Sequence, residues 1–313
     1  MKSILVTGAS GFIGRHVVAK LHSMGKEVVG LAQKKPDDSN AICWHTCDLF
    51  TPPYAFNFNC VPDICIHLAW PIGSSYADNA ANTDGLKASI ALFELLAQSG
   101  CKHFVIAGTC AEYGTPEHLP VDETAFPNPD TLYAASKNEL RHAIDARINH
   151  HPGVTVAWAR IFQLYGRGER SSRLFPSMAK EFLQNRAFPA ASGTQIRDYL
   201  HVCDVASALV RLAEHPVTGI YNISSSIPIQ LADLMRMFAS YFGPQAAIEF
   251  NAKKERLGGW DPPAMYGENT KLRALGWSPS ITLEEGLKTY ANFLRTGLAN
   301  PQLGISNDSC LPI

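Results

Sequence analysis

The chain opens on a short apolar run, Ile4-Leu5-Val6, and passes directly into the glycine-rich stretch G-A-S-G-F-I-G at residues 8–14. A helix-like segment follows through "RHVVAKLHSMG", and a second apolar run, "EVVGLAQ", closes the unit. That order predicts strand, turn, helix and parallel strand, at the length of a crossover connection. Further runs at "DICIHLAW", "HFVIAGT" and "VTVAWARIF" read as buried strands, because they are nearly continuously apolar and do not alternate. Between them lie the helical patterns "NTDGLKASIALFELLAQSG" and "LYAASKNELRHAIDARINH". Strands alternating with helices predict an α/β fold, a doubly wound parallel sheet covered on both faces.

The pattern changes after residue 165. "YGRGERSSRLFPSMAKEFLQNRAFPAASGTQIRDYLHV" is rich in Gly, Pro and Arg, helical stretches return at "DVASALVRLAE" and "LADLMRMFASYF", and "NAKKERLGGWDPPAMYGENT" reads as loop. These segments predict a smaller lobe interleaved with returns to the main sheet, set over the carboxyl ends of the strands, where open α/β sheets bind ligands. The expected division is a sheet domain over 1–165 with returns near 196–225, a lobe from 166–195 and 226–300, and a tail over 301–313 without a readable signal.

Composition narrows the function classes. The net charge of −1 over 313 residues gives no bulk field for polyanions, so nucleic-acid binding through a basic face is not expected. The eight cysteines, at 43, 47, 60, 65, 101, 110, 203 and 310, lack a CxxC pairing and an accompanying His pattern, so reduced thiols and no metal site are expected. The N-terminal apolar run is too short for a signal peptide and no window reaches a membrane span, which leads to the expectation of a cytoplasmic protein.

The glycine turn brings in chemistry. Gly8, Gly11 and Gly14, with Phe12 and Ile13 between them, lie after a strand and at the start of a helix, where backbone amides can approach a pyrophosphate. This predicts a Rossmann-like dinucleotide site. At the end of the second strand an acid would accept from a ribose 2′-hydroxyl, but the sequence offers Ala32 and Gln33 followed by Lys34 and Lys35. A neutral-to-basic edge suits a 2′-phosphate, so NADP(H) is favoured over NAD(H). Asp48, followed by Leu49, is a candidate for the adenine amino group, with a turn-forming role as its alternative.

Tyr133 and Lys137 in "YAASK" share one face of a helix. An ammonium beside a phenol stabilises the phenolate and makes a tyrosine usable as an acid or base near neutral pH. Taken with "TGASGFIG", "HLA" at 67–69, Asn82, Thr109 with "EYG", "RIFQLYGRG", "RDYLHVCDVA" and "LGWSPSITLEEGL", the chain resembles the extended short-chain dehydrogenase/reductases, in the branch of NAD-dependent epimerases and dehydratases acting on nucleotide sugars. The resemblance implies that Tyr133 exchanges a proton with the sugar oxygen, Lys137 lowers its pKa and binds the nicotinamide ribose, and Thr109 bonds the same oxygen. Leu68 and Ala69 would line the cofactor, Arg197 and Arg256 would hold substrate phosphate, and Gln163 stands where many relatives carry Asn. Asp198 and Asp204 are read as structural.

The neighbours of Thr109 discriminate among the reactions of that family. Dehydratases resemble one another in an Asp-Glu pair after the threonine, and coupled epimerase/reductases in a cysteine two residues after the hydroxyl residue. Here Cys110 and Ala111 stand in those places. The expectation is therefore NADPH-dependent reduction of a nucleotide-linked 4-keto-6-deoxy sugar. An NAD-retaining 4-epimerase is the alternative, and an NADP-binding regulatory protein without turnover the third. Cys110 is read as small filler, Glu112 as either a site residue or a loop support, and the two central helices as either a homodimer interface of the kind frequent in the family or plain cover for the sheet.

Overall fold

A computed structural model describes residues 2–35, 42–52, 61–73, 76–252 and 260–299. The first apolar run forms β1 (Ser3–Thr7), followed by α1 (Phe12–Ser23), β2 (Glu27–Ala32), β3 (Cys43–Thr46) and β4 (Ile64–His67). Then come α2 (Ala81–Ser99), β5 (His103–Thr109), α3 (Leu132–Ile148) and β6 (Thr155–Ile161). Next are β7 (Gln163–Tyr165), α4 (Leu174–Leu183), β8 (Phe188–Pro189), β9 (Ile196–His201), α5 (Val202–Glu214) and β10 (Gly219–Ile223). The remainder is β11 (Pro228–Gln230), α6 (Leu231–Ser240), β12 (Ile248–Glu249), β13 (Ala264–Met265), α7 (Thr270–Arg273) and α8 (Leu283–Ala299).

Seven strands pair in the order β10-β6-β5-β4-β1-β2-β3, and every pairing is parallel. The alternation of side chains along β1 explains the two covering layers. Ile4 and Val6 pack with Val17 and Leu21 of α1 and with Val205 and Leu209 of α5. Leu5 faces the other way, into Leu92 and Phe93 of α2 and Leu140 and Ile144 of α3. This is the doubly wound α/β sheet expected from the sequence. Its strand order reverses between β1 and β4, so the turns leaving those two strands open a crevice at their carboxyl ends.

The return to the large sheet is made by α5 and β10, whereas residues 196–201 do not join it. They form β9, paired with β7, β11 and β13 in a second, small sheet. Helices α4, α6 and α8 close over this sheet around a third apolar cluster that includes Phe175, Phe182, Phe238 and Tyr290. Among the described residues, no helix is long and apolar enough to cross a membrane.

Two buried carboxylates tie the second lobe to the layers of the main sheet. Asp198 accepts from the backbone amides of Ser225 and Ser226 at 2.8 and 3.0 Å. Asp204, near the start of α5, accepts from Ser280 N at 3.0 Å, Ser280 Oγ at 2.7 Å and Ile281 N at 3.0 Å, which anchors the chain entering α8. Both acids are thus structural. Replacing Asp204→Ala strands those donors, and equilibrium urea unfolding should read a loss of about 2–3 kcal/mol.

Candidate active site

The crevice is built first by glycine. Gly8 has φ +66°, and a Cβ there would lie 2.9 Å from Ala69 N, so the turn after β1 is pressed against the chain leaving β4. A Cβ on Gly14 would lie 2.1 Å from Gly8 O, so only glycine lets α1 start this close to the turn. No side chain caps the N-terminus of α1, whose first residues are Phe12 and Ile13. Its first-turn amides and helix dipole therefore fit a pyrophosphate.

The threonine that ends β1 links the two turns. Thr7 Oγ1 accepts from Leu68 N and Ala69 N, each at 3.1 Å, so its proton goes to His67 Nδ1 at 2.7 Å. His67 Nε2 then donates to Ser89 Oγ at 2.9 Å, and Ser89 Oγ donates to Gly85 O at 2.7 Å. Burial, and after it the charge of Lys137, push the His67 pKa down to about 3, which keeps the ring neutral and in this one tautomer.

The loop after β7 laps over the same crevice. Arg167 O bonds His16 Nε2 of α1 at 2.8 Å. Arg170 donates to Gly73 O at 3.2 Å and also to Ile72 O, beyond β4.

At the edge of β2, Gln33 is exposed, as are Lys34 and Lys35. Gln33 Nε2 donates to Asp48 Oδ1 at 3.2 Å. The Asp48 carboxylate also accepts from Phe50 N at 3.0 Å and Thr51 Oγ1 at 2.9 Å, and these bonds, the backbone one first, hold its pKa below the usual range. Asp48 therefore folds its own turn while leaving an acid beside Gln33. Leu49 is buried behind it.

The end of β5 is organised by Glu112. Its carboxylate is fully buried and accepts from Thr109 N at 2.8 Å, from Trp158 Nε1 at 3.1 Å and from Arg160 Nε at 2.8 Å. A Cβ on Gly108 would lie 2.5 Å from Glu112 Oε1, so the carboxylate fits only over glycine. The Arg160 guanidinium, itself buried, stacks 4.2 Å above the ring of Tyr113. Tyr113 in turn donates to Asn222 Oδ1 at 2.7 Å. Glu112 is thus the support of this turn, the role that the sequence left undecided. Cys110 is buried, and burial, followed by the charge of Asp198, holds its thiol far above the ordinary range, as suits a filler.

Held in this way, Thr109 Oγ1 accepts from Ala111 N at 3.2 Å, which leaves the hydroxyl proton for another acceptor. Helix α3 starts at a second threonine, with Thr131 Oγ1 accepting from Ala134 N at 3.2 Å, and packs against β5 and the turn after it. Tyr133 is half-buried in its first turn, and Lys137 lies one turn on. Lys137 Nζ is buried and donates to Ala107 O of β5 at 2.8 Å. Burial pushes its pKa down to about 7, against the opposing charge of Glu112.

The phosphate candidates lie on the second sheet. Gln163 of β7 pairs with Tyr199 of β9, so Gln163, Arg197 and Tyr199 share one face. Gln163 Oε1 is buried and accepts nothing within the described residues. Arg197 is buried, donates to Ile196 O at 2.8 Å, and is paired with Asp261, which also accepts from Gln195 at 3.3 Å. Arg256 lies outside the described residues. No group of three or more ligating side chains that could hold a metal ion occurs among them.

Residues 4–224 match the model of the NAD dependent epimerase/dehydratase family. The chain belongs to that family. It is 25% identical over 272 residues to a dTDP-6-deoxy-L-talose 4-dehydrogenase (NAD(+)) of Aggregatibacter actinomycetemcomitans, covering 85% of this chain and 99% of the relative. It is 26% identical over 307 residues to a GDP-6-deoxy-D-mannose reductase of Pseudomonas aeruginosa, covering 91% and 94% of the two chains. The fold matches that of the UDP-glucose 4-epimerase of Thermotoga maritima, solved with UDP-glucose, with a TM-score of 0.83 and 23% identity over 95% of this chain and 99% of that one. The protein is thus an NAD(P)-dependent oxidoreductase or epimerase of the extended short-chain type.

The capping box that joins Thr109 to Glu112 spans three residues, a local Thr-x-x-Glu spacing, whereas the bonds of Glu112 to Trp158 and Arg160 and those of Thr7 join residues distant in sequence and leave no mark in spacing. The glycine turn, the strand end at Thr109 and the helix that carries Tyr133 and Lys137 are local features and readable. If Gly14 holds α1 against the turn as described, Gly14→Ala should weaken binding of the reduced nicotinamide cofactor, NADH or NADPH, at least about tenfold while the chain still folds, as read by titration of cofactor fluorescence.

Proposed function

We propose that this chain uses NADPH to reduce the 4-keto group of a nucleotide-linked 4-keto-6-deoxy sugar, with the segments 166–195 and 226–300 taking the substrate. The observation that carries the reading is the edge of β2, where Gln33, Lys34 and Lys35 are all exposed and none is an acid. A 2′-phosphate suits that edge, and NADPH suits net reduction. When bound, the nicotinamide supplies the hydride that the sugar carbon receives.

The chain's own residues supply the proton and the orientation. The Tyr133 hydroxyl gives its proton to the carbonyl oxygen as it becomes an alkoxide. A positive Lys137 favours the phenolate left behind, and Thr109 donates its remaining proton to the same oxygen. Gln163 Oε1, buried and without an acceptor role among the described residues, offers a bond to a substrate hydroxyl, and Arg197 exchanges Asp261 for phosphate. Elimination of water calls for another acid or base beside Thr109. The carboxylate nearest in sequence, Glu112, is committed to Arg160 and Trp158, and Cys110 is held as the thiol.

One observation favours the 4-epimerase as second reading. Asp48, bonded by Gln33, sets an exposed carboxylate beside the edge of β2, where it could accept from the ribose hydroxyls of NAD.

Incubation with NADPH or NADH and dTDP-, GDP-, CDP- and UDP-linked 4-keto-6-deoxyhexoses, read at 340 nm, separates the cases. Steady consumption of NADPH is expected, falling about 10²- to 10⁴-fold in Tyr133→Phe and Lys137→Met. Lys34→Ala with Lys35→Ala should raise the Kd for NADPH about tenfold and leave that for NADH unchanged. Interconversion of UDP-hexoses without net consumption would identify the epimerase, and cofactor binding without either turnover a regulatory protein.

A further inference from the structure

Lys137 has a neighbour that its helix does not supply. The Nζ atom lies 3.8 Å from the centroid of the Trp70 ring, over its face. Trp70 follows β4 directly and is itself nearly buried, at 8% exposure. Its indole Nε1 donates to Asn82 Oδ1 at 2.8 Å, and the buried Asn82 donates through Nδ2 to Asn79 O at 2.8 Å. Helix α2 presses on the same ring: a Cβ on Gly85 would lie 3.2 Å from Trp70 Cε2 and 2.7 Å from Pro71 Cδ. Trp70 also meets the Tyr133 ring edge to face, with centroids 6.3 Å apart. The indole is thereby fixed in plane and height by two elements, and touches both members of the Tyr133/Lys137 pair.

We propose that Trp70 is a positioning residue for Lys137, its anchored indole face seating the ammonium and favouring the charged amine in a pocket that otherwise opposes charge. The physical ground is the ring quadrupole, which attracts a cation and gives a neutral amine no comparable stabilisation, and whose effect grows when water is excluded. The other groups facing Lys137 do not replace it. His67 of β4 is neutral, Ala107 O of β5 bonds either form of the amine, and Glu112 shares its charge with Arg160 of β6. Tyr133 on α3 benefits from the ammonium as long as its own proton is in transit.

The inference rests on the proposed catalytic role of Tyr133 and Lys137, so its test is read without turnover. The chain is labelled with [13C]lysine, the Lys137 Cε resonance is assigned by its loss in Lys137→Met, and its position is followed with pH. An amine is charged below its midpoint, so removing a group that stabilises only the cation must lower the midpoint. Trp70→Leu should lower it by about one pH unit relative to the parent chain. Trp70→Phe, which keeps a ring face, should fall between the two. Should Trp70→Leu not fold, Asn82→Leu, which removes the indole anchor, and Trp70→Phe carry the test, with a lowered midpoint in either supporting the assignment. An unmoved midpoint in the folded variants overturns it and leaves Trp70 as packing alone. Undiminished activity in Lys137→Met would instead defeat the catalytic reading, so the two fail by different observations.

Discussion

A single buried carboxylate sets the end of β5. Glu112 and Arg160 have no solvent-exposed side-chain surface, so neither could hold its charge there without the other. The same carboxylate takes the amide of Thr109 and the indole of Trp158, which locks the turn after β5 to the middle of β6. The conformation of Thr109 follows from this, because its hydroxyl accepts from the next turn and has its proton left over for a ligand. Gly108 is the corresponding concession in sequence, a position where any side chain would displace the carboxylate.

Around this point the parallel sheet gathers groups that lie far apart in sequence. The reversal of strand order between β1 and β4 brings the glycine turn, the Leu68-Ala69 backbone and Trp70 into one crevice. The neighbouring strand β5 adds Thr109, and α3, packed against it, adds Tyr133 and Lys137. The cost of placing an ammonium in this interior is visible in the depressed pKa of Lys137, which burial lowers and the charge of Glu112 opposes, while Ala107 O and the Trp70 ring face lie against the amine. The neutral His67, one strand over, keeps a competing cation out of the same region.

How much of this was legible follows from the range of the interactions. The β1–α1–β2 unit could be read because its glycines, apolar runs and helix fall within one short window. The strand end at Thr109 and the helix that carries Tyr133 and Lys137 are legible because both have local signatures. The strands that pair with β9 are short, three residues each in β7 and β11 and two in β13, too few for any periodicity. The second sheet therefore leaves no mark in the sequence, in which residues 196–201 read as a return to the main one. The Glu112–Arg160 pair spans 48 positions and the Arg197–Asp261 pair 64, so their partners could be found only in the folded chain. For Asp48 the sequence offers both a turn and a ligand contact, and its bonds to Phe50 and Thr51 form the turn while leaving the carboxylate beside Gln33.

The account stands on Glu112 as a structural charge, and its neutral isostere tests that most directly. Equilibrium urea unfolding of Glu112→Gln should read a loss of about 3–5 kcal/mol, since the substitution keeps the shape and leaves Arg160 charged and buried without a counterion. A loss below about 1 kcal/mol would contradict it, because hydrogen bonding alone, without the ion pair, would then suffice to hold the strand end.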